Sequence, residues 1–177
     1  MRIFNGFAGL VSALVFAAAG AQAQDQSSSN LVAEKTDWGV YEDTDPKECW
    51  GVSVPKEVVN TRDGRVVAAN RGQILLMVFF RPGAGANAQV TFTGGYPFAS
   101  DSNVTIDIGG SKFSLFTDGE WAWPENTEED AKIVAAMKRG ANAVVTGVSS
   151  RGTTTQDTFS LLGFTAAVEE AEKRCAS

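Results

Sequence analysis

The stretch at residues 157–175 constrains this chain more than any other. In Asp157-Thr-Phe-Ser-Leu161 polar and apolar residues alternate, which puts Phe159 and Leu161 on one side of a strand and Thr158 and Ser160 on the other. Gly163-Phe164 breaks the alternation, and the alanine- and glutamate-rich run behind it reads as a short helix ending on Cys175, one of only 2 cysteines. A strand that passes straight into such a helix folds the helix back onto its own sheet. Phe159, Leu161 and Phe164 are expected as core anchors, Gly163 as the strand-to-helix switch and Cys175 as a staple.

The start of the chain reads as a targeting signal. Arg2 is a minimal positive region, residues 7–19 are an apolar run of signal length, and Ala21-Gln22-Ala23 is a small-x-small cleavage site followed by polar Gln24-Asp25-Gln26. The run is too short to span a bilayer. Cleavage after Ala23 is expected, then a flexible polar leader at 24–34 and a single domain at 35–177. The mature protein is then periplasmic, secreted or at the cell surface, with no transmembrane segment. Disulfides persist in that compartment, so cysteine count and compartment together point to a Cys49–Cys175 bridge; two free thiols or pairing between chains are the alternatives. The formal net charge is −6, one unit more negative without Arg2, and Lys and Arg are scattered. Nucleic acid and anionic lipid, which need clustered cations, are disfavoured as partners. Histidine is absent, which removes the usual general base, the commonest metal ligand and every Ser–His or Cys–His pair.

Short strands and turn signals follow one another along the rest. Weak alternation in Asp37-Trp-Gly-Val-Tyr41 precedes an acidic turn at 42–46, and a strand at 48–54 stops at Pro55. Asp63-Gly64 is a hairpin signal. Residues 73–80, the most apolar run after the signal, suit a strand buried on both faces, and 82–87 a flexible loop. Val90 and Phe92 share one face of the next strand. Val104, Ile106 and Ile108 point inward from a strand that a Gly109-Gly110 primed turn joins to a partner at 112–116. Residues 125–140 read as a helix, with Thr127 and Asp130 as a capping box and Ala131, Val134, Ala135 and Met137 or Lys138 as the buried stripe. A last strand pair is expected at 142–148 and 154–162. Together these define a mainly β chain with two short α-helices, an antiparallel β-sandwich or open barrel.

Most motifs that could carry chemistry have a plainer explanation. Gly83-Ala-Gly85-Ala-Asn87 lacks the lysine and the helix start that a phosphate loop needs. Oxygen side chains alternate from Asp101 to Asp107 as in a calcium loop, yet Ile106 stands where that loop requires glycine, and the outward side of a strand explains them. Asp37, Glu42, Asp43, Asp45 and Glu48 could serve hydrolysis if one were desolvated, but acids beside Pro46 read as a solvated turn. Ser111 and Lys112 point to opposite faces of a hairpin. No catalytic residue, cofactor or metal site is expected. Trp121-Ala-Trp123 stands apart: in an extended chain both indoles lie on one side, a stacking platform for a sugar or peptide. Their alternative is packing over the core where the helix begins. Trp121 and Trp123 are the candidate binding surface.

The chain resembles the invasion-associated locus B family of exported alphaproteobacterial proteins. Residues 157–168 carry the resemblance, above all Ser160-Leu161-x-Gly163-Phe164-Thr165-x-Ala167. Trp38-Gly-Val-Tyr41 followed by Cys49, and the helix at 130–137 with its Ala135-x-Met137-x-x-Gly140 ending, support it. Members often carry a cysteine just after the early tryptophan and a second pair in mid-domain; this chain has Asp43 and Thr44 at the first place and no cysteine in the middle. The resemblance implies an immunoglobulin-like β-sandwich, a periplasmic or surface location and an association with host-cell invasion. It implies no reaction, and so no catalytic residues.

The expectation that follows is an exported, non-enzymatic module that binds an unknown protein or cell-envelope component. A carboxylate-dependent glycan-active enzyme with the tryptophans as subsites, and a periplasmic small-ligand carrier, are the alternatives.

Overall fold

The structure, a computed structural model, describes residues 30–176. The signal peptide expected at 1–23 and the first part of the expected leader lie outside the described residues. The chain runs through β1 (Leu31–Lys35), β2 (Trp38–Thr44), β3 (Lys47–Ser53), β4 (Glu57–Arg62), β5 (Arg65–Val66), β6 (Leu75–Arg81), β7 (Ala86–Thr93), β8 (Asn103–Ile108), β9 (Ser111–Asp118) and β10 (Trp121–Trp123). Helix α1 (Thr127–Met137), β11 (Asn142–Val148), β12 (Thr154–Ser160) and α2 (Phe164–Cys175) complete it. The protein is mainly β with two short helices, as the patterning indicates. Its strands pair antiparallel in the order β1-β2-β3-β6-β7-β10-β9-β8-β11-β12-β4-β5, one continuous sheet of 12 strands rather than two separately bonded ones.

The sheet coils around one core. Phe92 of β7 meets Phe159 of β12 edge to face, ring centroids 6.1 Å apart. The Trp38 indole at the head of β2 donates to the Ser160 carbonyl at the foot of β12 (3.0 Å), and the Asp37 amide donates to the Leu162 carbonyl (3.2 Å). Val40, Leu76, Val78, Val90, Ile106 and Leu115 fill the interior between these contacts. The hairpins follow local chemistry: Gly109 and Gly110 both have positive φ (58° and 88°) and join Ile108 to Ser111, which is the primed turn the strand twist prefers.

Helix α2 shuts the fold. Gly163 sits at φ 90°, and a Cβ there would overlap the Lys35 carbonyl, so glycine alone lets the chain leave β12 this close to the end of β1. Phe164 then packs edge to face on Trp38 at 4.9 Å. Phe164, Ala167, Val168, Ala171 and Cys175 form the buried stripe, one face of a 3.6-residue period. Cys175 is bridged to Cys49 in β3, with Cα atoms 5.7 Å apart.

Five local expectations change. Order starts before the expected end of the leader, because Leu31–Lys35 pairs with β2. Strand β2 runs on through Glu42 and Asp43, where the acidic run beside Pro46 predicts a turn, because they find partners in Cys49 and Glu48 of β3. Only a 3₁₀ turn, Pro82–Ala84, separates β6 from β7, and Ala86 and Asn87 already belong to the strand. Helix α1 buries Asp130, Ile133, Val134, Ala136 and Met137 rather than the stripe through Ala131 and Ala135. Its cap is Asn126, whose carboxamide oxygen accepts from the Glu128 and Glu129 amides (3.1 and 3.0 Å), so Thr127 and Asp130 form no capping box.

The bridge spans a sequence separation of 126, for which loop-closure entropy gives about 4–5 kcal/mol of stabilisation. Reduction and alkylation, or paired Cys49→Ser and Cys175→Ser changes, should lower the thermal midpoint on the order of 10 °C. Labelling of either cysteine before reductant is added would contradict the bridge.

Candidate functional site

Trp121 and Trp123 belong to β10, the shortest strand but one, between β7 and β9. Ala122 points into the core and is fully buried, so the two indoles point outward on the same side, as their spacing requires. Trp121 is 41% exposed and Trp123 half-buried. Trp123 pairs with Phe116 of β9, ring centroids 5.6 Å apart, and Phe116 is itself 48% exposed. Trp121 lies opposite Asp118 on one flank and Thr93 on the other. The indoles lie on the outward side and do not cover the core.

The same outward side carries a second aromatic row that sequence reading missed. Tyr41 (β2), Trp50 (β3) and Phe79 (β6) lie next to one another by register. Their rings stack at 5.7 Å, with interplanar angles of 10° and 28°. Gly39 makes room for the first ring: a Cβ there would stand 2.8 Å from Tyr41 Cε2. The Arg81 guanidinium lies 4.1 Å from the Phe79 centroid and pairs with Glu48 at 3.2 Å. Between the rows, Met77 is buried without joining the core cluster, and Thr91 and Thr93 of β7 are also buried although they alternate with inward Val90 and Phe92. Three of the 4 tryptophans, Trp50, Trp121 and Trp123, therefore lie on one outward half of the sheet; only Trp38 is core. The outward side of the other half, β8, β11 and β12, has no aromatic ring and carries Thr105, Asp107, Thr146, Gln156 and Thr158 with Val144 and Val148 among them.

Buried carboxylates hold the frame of this face. The Asp130 carboxylate accepts a 2.8 Å hydrogen bond from the Val90 amide, which ties α1 to β7 just beyond the end of β10. Burial pushes its pKa above the ordinary 3.8, with the Val90 hydrogen bond pulling the other way. Asp157, fully buried at the start of the closing stretch, takes a bidentate pair from Arg71: Nη1 to Oδ1 at 2.7 Å and Nη2 to Oδ2 at 2.5 Å. Arg71 also donates to the Gly94 carbonyl (2.8 Å) and to Asn60 Oδ1 (3.2 Å) and lies 5.0 Å from the Tyr96 ring centroid. The connection from β5 to β6 is thereby fastened to β4, β12 and the end of β7. Removing one partner of such a pair costs about 3–5 kcal/mol, because the other charge stays buried.

Of the acidic residues of the β2–β3 region, Asp43 and Glu48 stand opposite each other in register, and three of the five are tied to cations. Asp37 pairs with Lys56 (2.6 Å), Glu42 with Lys47 and Arg174 (2.7 and 3.1 Å) and Glu48 with Arg81. Hydrogen bonds from Lys56 and Ser160 lower the Asp37 pKa, and those from Lys47 and Arg174 lower that of Glu42. The Asp101–Asp107 oxygens lie on and before β8, where Asp107 Oδ1 accepts from the Gly110 amide and serves the hairpin turn (2.9 Å). Among the described residues no helix is long and apolar enough to cross a membrane, and no group of three or more Cys, Asp or Glu side chains is placed to hold a metal ion.

A disulfide-closed, mainly β protein whose one sheet turns an aromatic half and a polar half outward is the class these features define. The chain belongs to the invasion associated locus B (IalB) protein family, whose model matches residues 42–172. That span takes in Cys49, α1 and the motif at 157–168, and stops short of Trp38 and Cys175. No curated protein and no solved structure matches the chain.

The raised pKa of Asp130 has a signed consequence. Its folded value lies above the unfolded one, so this group makes the protein more stable as pH falls from neutral through the raised value toward 3.8. Asp130→Asn keeps the acceptor for the Val90 amide and removes the charge. The variant should be at least as stable as the parent at neutral pH, and the parent should gain on it as pH falls across that window. Asp37 and Glu42, whose depressed values act in the opposite direction, are common to both proteins and cancel. Urea denaturation of both at several pH values measures the difference; a pH-independent difference would contradict the assignment.

Proposed function

We propose that the protein is an exported, non-enzymatic interaction module that docks a protein or cell-envelope component on its outward aromatic half. The observation that carries this reading is the placement of Trp50, Trp121 and Trp123 with Tyr41, Phe79 and Phe116 on one outward side, while the outward positions of β8, β11 and β12 hold no aromatic ring and mix Thr, Asp and Gln with Val144 and Val148. Tryptophan, tyrosine and arginine dominate the energetics of recognition surfaces. Arg81, stacked on Phe79, belongs to the same set.

The compartment supports the reading. A disulfide closing most of the chain belongs in an oxidising environment, and the signal at 1–23 with cleavage after Ala23 provides the route to the periplasm or cell surface. The ion pairing of Asp37, Glu42 and Glu48 leaves each with a cation partner, which favours a structural role over acid–base work. A part in host-cell invasion follows from the family's description to the extent that the docked component belongs to a host.

Replacing Trp121 and Trp123 together with Ala should cut capture of the bound component from a native envelope extract by on the order of tenfold or more. The unfolding midpoint should stay near that of the parent, because neither indole is in the core. Undiminished capture by a folded double variant would remove this face as the site.

A further inference from the structure

We propose that a second site, apart from the aromatic half, binds the carboxylate group of a small solute or of a chain terminus. It is a cavity of about 450 Å³ at one end of the sheet, where the β4–β5 hairpin, residues 67–71, the start of the β7–β8 connection and the β11–β12 turn converge. Its volume is in the range of small-ligand sites, roughly 300–1,000 Å³. Arg62, Arg71 and Arg151 line it, with Glu120 as the one carboxylate in the lining.

The three arginines play different parts. Arg71 is spent: its Nε and both terminal nitrogens are engaged by Gly94, Asn60 and Asp157, so it is a fixed wall and a positioning residue. Among the described residues Arg62 and Arg151, like Arg65 and Arg139 outside the cavity lining, form no ion pair, whereas Arg71, Arg81 and Arg174 all do. Arg62 is nonetheless held in place, donating from Nη2 to Thr153 Oγ1 at 2.7 Å, which leaves its other donors free. Thr153 is itself fixed by its amide's bond to Ser149 Oγ (3.1 Å). An oriented guanidinium with unused donors matches the two oxygens of a carboxylate. With Arg71 neutralised by Asp157, two guanidinium charges against Glu120 leave one net positive charge, which suits a monoanion. On a chain of net charge −6 that local sign is reversed.

The test is an amide-resolved NMR titration of the mature, oxidised protein with acetate, with an amino-blocked Ala-Ala dipeptide, with the same dipeptide amidated at its carboxyl end, and with inorganic phosphate. The expected result is saturable shifts at residues 68–71 and 149–153 with the free acids and none with the amide. Arg62→Gln and Arg151→Gln should each weaken binding on the order of tenfold, with an unchanged unfolding midpoint, since both side chains are on the surface. Dipeptide binding much tighter than acetate assigns a chain terminus, and equal binding a small solute. Absence of saturable shifts, an equal response to the amidated dipeptide, binding of phosphate alone, or parental affinity in both variants would each overturn the proposal. None of these outcomes depends on Trp121 or Trp123.

Discussion

At the junction of β12 and α2 the backbone of Gly163 lies against the Lys35 carbonyl, in a space that no Cβ can share. That approach seats Phe164 on Trp38 and lets the Trp38 indole reach the Ser160 carbonyl. Strands β2 and β12, distant in the order of the sheet, are thereby brought into contact. A sheet of 12 strands left open would expose both faces along its length; drawn together here, it encloses one core and leaves the other face for water or a partner. The Cys49–Cys175 bridge acts on the same closure from the far end of α2, so the helix is held by a steric fit at its start and a covalent bond at its finish.

Once the inner face is committed to the core, period-two alternation commits the other face as well, residue by residue. Packing does not require that face to be aromatic: β8, β11 and β12 meet the same inner demands with Thr, Asp, Gln and Val and no ring outside. The rings on β2, β3, β6, β9 and β10 are an addition to what folding needs, and that difference underlies the functional reading. Strand β10, with only three residues, would be a weak carrier for two indoles by itself. The Asp130 carboxylate on the Val90 amide holds α1 against β7 directly beyond it, so the platform is flanked on both sides.

Local signals were legible in the sequence and long-range ones were not. Gly109-Gly110 and Asp63-Gly64 announce their hairpins because a primed turn is decided by its two central residues. The change from alternation to helical spacing at Gly163 announces β12 and α2 because each period repeats several times. Trp121-Ala-Trp123 reveals that its indoles share a side, but not which side, since that depends on where Ala122 is buried. Tyr41, Trp50 and Phe79 form a row only through the β2–β3–β6 register, which no window of sequence contains. Asp130 misled for the opposite reason: its spacing from Thr127 imitates a capping box, while its partner is 40 residues away in β7. The Arg71–Asp157 pair, separated by 86 residues, leaves no local mark at all.

The central claim is that the aromatic half, and not the polar half, meets the partner. A photoreactive amino acid placed in turn at Trp121 and at Thr146, on the outward sides of β10 and β11, tests it in the native compartment. The account predicts a cross-linked adduct from position 121 and none from position 146. Adducts from position 146 alone, or equally from both, would contradict it.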